Sequence, residues 1–551
     1  MLEKVWKKIE DTPITIMQWL MGFTAITAIR LFLEYLSNPS PLTPVLSDAH
    51  SLVHIYLFFL TAALGFSCII GFLTKNYSGS SKIVLFTWPL IWLAPILDII
   101  LSGGVGYNMS YIYQSGNGLI YSFFNLFSPE FIAGVTYGIR IEVVILFLIL
   151  GLYVWHKRKK VFVTLFSVIL LTILLFLMAG IPGILYNLTH IGLPETTSQE
   201  IWQYINYLVT NSLIHGNVLL NENILDQFTL TEIGLDKLMS QILLVLSLIF
   251  GALILWKTEP KVFKAIVKNS RIERVFFWFS LFLLGLGYAY LIGNRFGSWV
   301  DILGIVSAMI SGIGIWMYSV SINDISDIEI DKISNPQRPL VEQTVNPREM
   351  KDVSFLFLLL ALLGSWSIGF FHFFLCLVCL SSSYIYSMPP MRLKRLPIVA
   401  TFILSIACLA TILFGFFFLS ALKNVSAFPA LAALAILVLF TLESNFKDMK
   451  DVKGDPKDNV KTLPVIFGEN GPRIVAITFA SSFLLAPILL SFYTLYITAI
   501  PAALLGYKFI TRKPYNEKLV FLIHFGFIAS IFILVFLINY AGCKLNIQCI
   551  L

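Results

Sequence analysis

Apolar runs of about 20 residues recur along the whole chain, and they constrain its fold more than any other feature. A run of that length, wound as an α-helix, crosses the hydrocarbon core of a bilayer. Only 13% of the 551 residues are charged, against about 25% in a typical soluble protein. The sequence lacks the alternating ten-residue segments of a membrane β-barrel. It therefore predicts an all-α polytopic membrane protein.

Hydropathy predicts about fifteen transmembrane helices, a unit of six followed by a bundle of nine. The first six cover about 13–36, 52–74, 83–103, 134–156, 161–186 and 236–256. The other nine cover about 275–293, 301–323, 351–369, 371–387, 397–420, 427–446, 471–491, 494–510 and 518–541. This grouping predicts a membrane domain over 1–256, a linker over 257–274 and a second domain over 275–551.

Positive charge alternates between the predicted loops. Lys and Arg gather at the N-terminus and in every second loop, while the intervening loops 37–51, 104–133 and 188–235 hold none. The positive-inside rule then predicts a cytoplasmic N-terminus, and an odd number of spans places the C-terminus outside. The net charge of +7 thus reflects orientation in the membrane, and we expect no nucleic-acid partner.

The linker is strongly basic. Its positive residues recur at steps of four and three, which places them on one face of a helix. They are Lys257, Lys261, Lys264, Lys268 and Arg271. This pattern predicts an interfacial helix that lies on an anionic leaflet. A solvated basic linker is the alternative.

Three aspartates lie at the end of the second predicted helix of the second domain. A charged side chain so close to the lipid costs free energy. Asp324, Asp327 and Asp331, together with Asn323, share one face of a continued helix. Three carboxylates on one stripe repel each other unless a cation lies among them. Oxygen-only ligands suit Mg²⁺, which commonly binds carboxylates and substrate phosphates together.

The same spacing recurs after the sixth helix of this domain. Asp448, Asp451 and Asp455 repeat it within the segment KDMKDVKGD. The charge pattern places both motifs on the cytoplasmic side. Two facing carboxylate clusters can hold more than one Mg²⁺ around a diphosphate, so we predict a Mg²⁺–diphosphate site from all six aspartates.

Basic residues accompany both motifs. Arg338 follows the first motif, Arg392 and Lys394 lie in a predicted cytoplasmic loop, and Lys447 adjoins the second motif. Arg binds phosphate oxygens as a fork and Lys as a point charge. We predict that these four side chains bind the diphosphate. The alternative is that they only fix the orientation of the chain.

Three segments carry a family resemblance: NDISDIEIDKISNPQRPL, YSMPPMRLKR and KDMKDVKGDPKDNVKTLP. Residues from about 271 to 541 resemble the UbiA superfamily of intramembrane prenyltransferases. Within it they are most similar to the group of digeranylgeranylglyceryl phosphate synthases, homogentisate prenyltransferases and chlorophyll synthases. One departure is VEQTVNP after RPL, where that group has a small SG pair. This difference concerns the acceptor side.

The resemblance implies a Mg²⁺-dependent enzyme with both motifs as its catalytic residues. It would transfer a polyprenyl group from an allylic diphosphate to a lipophilic acceptor in the membrane, with capture of the carbocation. Asn323 and Tyr386, by their motif positions, would bind near the diphosphate, although Tyr386 also suits an interfacial anchor. A terpene cyclase of the same superfamily and a membrane transporter of lipids or diphosphates are the alternatives.

The first domain resembles no family that we recognise. Arg30 and Glu34 are four residues apart and can pair along one helix. Intramembrane charges of this kind either join helices or line a polar site; the others are Asp98, Arg140 and Glu142. Cys543 and Cys549 fall in the predicted outside tail, where a disulfide is an option.

Overall fold

A computed structural model describes residues 2–37, 49–107, 109–128, 134–190, 197–213, 227–421, 423–458 and 460–544. Within these ranges the chain forms helices and no β-strand. The prediction of an all-α polytopic membrane protein is confirmed. The side chains of Cys543 and Cys549 fall outside the described part, so the disulfide stays a prediction.

The first part of the chain forms twelve helices. They are α1 (Leu2–Asp11), α2 (Ile16–Leu36), α3 (Ala49–Thr74), α4 (Tyr77–Thr87), α5 (Leu93–Leu101), α6 (Gly116–Phe124), α7 (Tyr137–Arg158), α8 (Val161–Ala179), α9 (Ile181–Thr189), α10 (Ser198–Thr210), α11 (Gln227–Thr258) and α12 (Pro260–Asn269). A 3₁₀ turn over Trp88–Trp92 joins α4 to α5.

The remaining helices carry both aspartate motifs. They are α13 (Ile272–Leu291), α14 (Asp301–Ser326), α15 (Ile328–Ser334), α16 (Pro347–Trp366), α17 (Phe370–Ser387), α18 (Val399–Leu419), α19 (Ala430–Glu443), α20 (Leu463–Ile466), α21 (Gly471–Leu489), α22 (Tyr496–Thr511) and α23 (Glu517–Lys544). The 3₁₀ helices are Leu393–Arg395, Val425–Ala427, Ser444–Lys450, Asp455–Asp458, Gly468–Asn470 and Tyr493–Leu495.

Contacts between residues divide the chain into two compact units. The N-terminal unit comprises Met1–Phe263, Gly297–Ala308 and Trp366–Gly369. The C-terminal unit comprises Lys264–Phe296, Met309–Ser365 and Phe370–Leu551. The domain boundaries given above remain a prediction.

Fourteen helices in the described ranges are long and apolar enough to cross a bilayer. The fifteenth predicted span, 351–369, coincides largely with α16. That helix has 20 residues, about 30 Å, but its first turns carry Arg348, Glu349, Lys351 and Asp352. Helix α16 is therefore long enough to cross a bilayer, but its N-terminal turns are not apolar.

The basic linker is not one continuous helix over 257–274. Helix α11 ends at Thr258, and α12 begins at Pro260, because proline suits the first position of a helix and not its interior. Arg271 has a φ of 49°, in the left-handed region, and so separates α12 from α13. Its side chain consequently leaves the predicted basic stripe. Membrane contact by α12 stays a prediction.

Buried charges join helices within the N-terminal unit. Arg30 pairs with Glu34 at 2.9 Å, as expected from their spacing, and with Glu142 of α7 at 3.1 Å. Asp98 of α5 accepts hydrogen bonds from the Thr136 hydroxyl at 2.5 Å and from the Gly138 amide at 2.8 Å. These contacts support the interpretation that these charges hold helices together.

Close helix packing organises the C-terminal unit. Helices α13 and α18 approach at two reciprocal glycines. A Cβ atom on Gly285 would lie 1.8 Å from the Ile412 carbonyl oxygen, and one on Gly415 would lie 1.9 Å from that of Phe282. Only glycine permits this approach. From this pair a ring of packed helices continues through α19, α21, α22 and α23.

Candidate active site

Both aspartate motifs border one cavity of about 160 Å³ in the C-terminal unit. Four carboxylates and six basic side chains line it, together with aromatic and aliphatic groups. The charged lining residues are Asp327, Asp448, Asp451, Asp455, Arg271, Arg274, Arg338, Lys394, Lys447 and Lys450. Helices that are far apart in sequence thus bring the predicted motifs together.

The first motif lies where α14 ends. Asp327 separates α14 from α15. The prediction that the three aspartates share one face of a continuous helix is therefore wrong. The backbone bonds from Asp327 to Asn323 and from Asp331 to Asp327 persist at 2.9 and 2.8 Å. The backbone therefore keeps helical hydrogen bonds on both sides of Asp327, although the helix is interrupted at that residue.

Two carboxylates of this motif lie outside the cavity lining and are bound by cationic side chains that belong to it. Asp324, only 1% exposed, accepts from Arg271 at 2.6 Å, from Arg338 at 3.0 Å and from the Asn269 amide at 2.7 Å. Arg338 also donates to Asp331. One guanidinium thus bridges two buried carboxylates of the motif.

The predicted loop between α17 and α18 supplies the partners of Asp327. Its backbone turns at Arg392, where φ is 39°. Arg392 donates to Asp327 at 3.0 Å and to the Ser326 carbonyl at 3.0 Å, and Lys394 also pairs with Asp327. Asn323 donates to the other oxygen of Asp327 at 2.8 Å. Asp327 is therefore the most heavily bonded carboxylate that borders the cavity.

The second motif adopts a different backbone. A 3₁₀ helix covers Ser444–Lys450, and Asp451 follows directly. With three residues per turn, this helix aligns Asp448 with Asp451. Asp455 is buried and contacts the Thr462 hydroxyl at 3.3 Å. Over the ranges that the structure describes, none of these three carboxylates forms an ion pair.

One asparagine connects the motifs. The Asn335 side-chain amide donates to Asp331 at 3.0 Å and to Asp451 at 3.1 Å. Asn335 lies within the segment ISNPQRPL, which follows the first motif closely in the sequence. It was not singled out from the sequence, because nothing local indicates a partner 116 positions away.

Nine of the twelve predicted site residues line the cavity. They are Asn323, Asp327, Arg338, Tyr386, Lys394, Lys447, Asp448, Asp451 and Asp455. Asp324, Asp331 and Arg392 are buried behind it and bind lining residues. The sequence-based prediction missed Arg271, Arg274, Trp278 and Trp316, which also line the cavity.

Burial changes the acidity of the carboxylates outside the membrane-spanning segments. Burial, followed by the nearby Asp324, raises the pKa of Asp331 to about 6 despite the opposing Arg338. Burial and then Asp451 raise the pKa of Asp455 to about 7. Both shifts reflect negative charge held in a poorly solvated place, which a bound cation would relieve.

The donor set fits Mg²⁺ by its chemistry. Carboxylate and amide oxygens are the ligands that this ion prefers, and it leaves several positions to water and phosphate. In the described residues no three acidic, His or Cys side chains converge tightly enough to enclose a metal ion. The site would therefore take its remaining ligands from water and substrate.

A comparison with family models identifies this region. Residues 280–531 match the UbiA prenyltransferase family. This part of the chain is similar to that family and is called the UbiA domain below. The motifs, the cavity and the basic lining of the UbiA domain all fall within or directly beside the matched segment.

Curated proteins that are similar to part of this chain carry related names. A digeranylgeranylglyceryl phosphate synthase of Thermococcus kodakarensis is 28% identical over 160 residues, which are 29% of this chain and 55% of that protein. The alignment thus spans about half the length of this relative. The enzyme of the same name from Methanococcus maripaludis is 25% identical over 39% of this chain and 76% of its own length.

A solved structure is also similar to part of this chain. It is a UbiA homolog from Archaeoglobus fulgidus bound to GPP and Mg²⁺, at 21% identity and a TM-score of 0.38. The match covers 49% of this chain and 96% of that one.

Proposed function

We propose that the UbiA domain transfers a polyprenyl group from an allylic diphosphate to a lipophilic acceptor within the membrane, with Mg²⁺ as cofactor. The observation that carries this proposal is the convergence of both aspartate motifs and six basic side chains on one cavity. A diphosphate requires both signs of charge, because metal ions bridge it to carboxylates and cations contact its free oxygens.

The six aspartates are the proposed metal ligands, and the four that line the cavity would contact the ion most directly. Bound Mg²⁺ would neutralise the charge that develops on the leaving diphosphate. Arg338 and Lys394 are held in place by buried carboxylates. Lys447 lies 5.1 Å from the ring centre of Phe277 and forms no ion pair in the described chain. It is therefore free to contact a diphosphate oxygen.

The apolar wall of the cavity suits an isoprenyl chain. Trp278, Trp316, Ile403, Leu404 and Ala407 line it. The indole nitrogen of Trp316 donates to the Ser270 carbonyl at 2.7 Å, which fixes the ring. Aromatic faces stabilise a nearby carbocation and exclude water from it. Bonding of the cation to a nucleophilic atom of the acceptor, with loss of that acceptor's proton, would then complete the transfer.

The acceptor is proposed only as a hydrophobic molecule. The names of the similar archaeal proteins favour a lipid acceptor, and VEQTVNP after the first motif marks a local difference from that group. Membrane lipids and a polyprenyl diphosphate are the proposed partners.

The test uses the full chain in liposomes with radiolabelled geranylgeranyl diphosphate, Mg²⁺ and a native lipid extract. We expect a labelled lipid product and release of diphosphate, both abolished by EDTA. A labelled hydrocarbon without acceptor would indicate a cyclase. Unaltered label that has moved into the liposome lumen would indicate a transporter, and EDTA-resistant product would contradict the metal site.

Orientation is a further part of the proposal: a cytoplasmic N-terminus, a site that opens to the cytoplasm and an outside C-terminus. The side of the membrane on which the C-terminus lies depends on whether α16 spans the bilayer. The four cysteines Cys68, Cys376, Cys379 and Cys408 are buried. A membrane-impermeant thiol reagent added to intact, reduced cells should therefore label only Cys543 and Cys549. Absence of labelling until the cells are opened would place the C-terminus inside.

A further inference from the structure

A second cavity lies within the N-terminal unit and has a volume of about 510 Å³. Small-molecule sites commonly have about 300–1,000 Å³. Its lining is mainly aromatic and aliphatic, including Phe58, Phe59, Phe66, Trp88, Leu146 and Phe147. The proposed prenyl transfer makes no use of this cavity.

A chain of polar side chains borders the cavity. The His54 Nδ1 lies 2.7 Å from an oxygen of Asp236, and the Ser51 hydroxyl donates to the other oxygen of Asp236 at 2.5 Å. The His54 Nε2 contacts the Tyr111 hydroxyl. All four residues line the cavity. None of the four was predicted from the sequence as a site residue.

The hydrogen bonds fix the direction of this chain. With neutral imidazole, Nδ1 donates to the Asp236 carboxylate, so Nε2 must accept. Tyr111 then donates its proton to His54. Burial, followed by the charge of Asp236, raises the pKa of Tyr111 well above its usual value, so the hydroxyl keeps that proton. The Tyr111 oxygen retains lone pairs that accept a hydrogen bond, and the matching ligand group is a donor such as a hydroxyl.

The charge balance of the lining disfavours a phosphate. Two guanidinium groups, Arg30 and Arg140, face three carboxylates in the lining, Glu142, Glu232 and Asp236. Arg30 is already paired with Glu142 at 3.1 Å. The active-site cavity, by contrast, has more cations than carboxylates. A neutral ligand therefore suits the N-terminal unit.

The cavity extends along α3. His54 lies near the start of that helix, and Phe66 follows twelve residues later, which corresponds to about 18 Å. Phe147 packs edge-on against Phe66 at 5.4 Å. A polar group at His54 and an aromatic wall near Phe66 match a molecule with one polar end and a long apolar chain.

We propose that this cavity binds a neutral long-chain lipid alcohol, whose hydroxyl donates to Tyr111 and whose chain lies along Phe59, Phe66 and Phe147. The assignment stands on the N-terminal unit alone and does not depend on the activity of the UbiA domain. Asp236 and Ser51 position His54 and, through it, the Tyr111 oxygen.

The experiment uses the full purified chain in nanodiscs and a diazirine derivative of oleyl alcohol. We expect light-induced cross-links in the α3 and α7 peptides that contain Phe66 and Phe147. Unlabelled oleyl alcohol should compete, whereas its methyl ether, which lacks the donor, and oleyl phosphate should compete at least about tenfold less well. Equal competition by either would overturn the proposal, as would cross-links spread evenly over the lipid-exposed helices.

Tyr111→Phe removes the hydroxyl that accepts from the ligand and donates to His54, and it should weaken saturable labelling about tenfold. Tyr207→Phe is the matched control, because Tyr207 is exposed and lies outside the cavity lining. Unchanged labelling of a folded Tyr111→Phe protein would contradict the proposal. If that variant does not fold, Ala62→Leu tests the same site by filling the cavity at a lining residue. Saturable labelling that survives this substitution would also overturn the proposal.

Discussion

The two aspartate motifs have the same spacing and different surroundings. In the first, Arg271, Arg338 and Lys394 form ion pairs with the carboxylates. In the second, the described contacts of Asp451 and Asp455 are with neutral groups, Asn335 and Thr462. Equal spacing therefore does not mean equal roles.

The difference suggests a division of labour. A carboxylate that already holds two cations has few lone pairs left for a metal ion, while one without an ion pair is available. We infer that the first motif mainly positions the basic side chains and that the second motif supplies most of the metal ligands. The predictions below test this asymmetry.

The largest expected effect is the loss of enzyme activity when an aspartate of the second motif is substituted. Asp448→Asn and Asp451→Asn should each lower kcat by at least about a hundredfold, as does loss of one preorganised charged group in an active site. Because neither carboxylate forms an ion pair in the described chain, thermal stability without metal should not fall. Glu469→Gln is the control, since Glu469 is exposed and lies outside the cavity lining. Near-normal turnover by both variants would refute this role.

A substitution in the first motif should lower both the activity and the stability of the protein. Asp324→Asn removes the ion-pair partner that Arg271 has in the described chain and one of the two partners of Arg338. Breaking a buried ion pair from one side costs about 3–5 kcal/mol. We expect a large loss of unfolding free energy in mixed micelles, together with loss of turnover. If Asp324→Asn and Asp448→Asn had equal stability, the asymmetry between the motifs would be wrong.

The two lysines give a smaller version of the same comparison. Lys447→Met removes a cation without an ion pair, so the KM for the diphosphate should rise about tenfold to a hundredfold with stability unchanged. Lys394→Met should raise KM similarly and also destabilise the fold, because Asp327 loses a partner. KM values unchanged in both variants would mean that these lysines only fix orientation.

Local patterns in the sequence predicted most of the fold and the site. Hydropathy located the helices, and repeated spacing located both motifs. The missed residues share one property: their role depends on contacts across long sequence separations. Arg271 reaches Asp324 only because the backbone turns at a residue with positive φ, and Trp316 lies on an ordinary apolar stretch. Burial and direction of a side chain are tertiary properties that no local pattern specifies.

The smallest expected effect is on the pH dependence of metal binding. Asp455 has a pKa of about 7, above its unfolded value of about 3.9. The folded, metal-free protein thus binds a proton that the unfolded chain releases, so its stability should decline as the pH rises from about 4 to about 7. Mg²⁺ must displace that proton, and its affinity should fall by at most about tenfold per pH unit below 7. The gain in Tm on adding Mg²⁺ should therefore be larger at pH 8 than at pH 6. Asp455→Asn should remove most of this difference, whereas Glu469→Gln should keep it. A gain independent of pH in the unsubstituted protein would show that Asp455 does not take part in binding the metal.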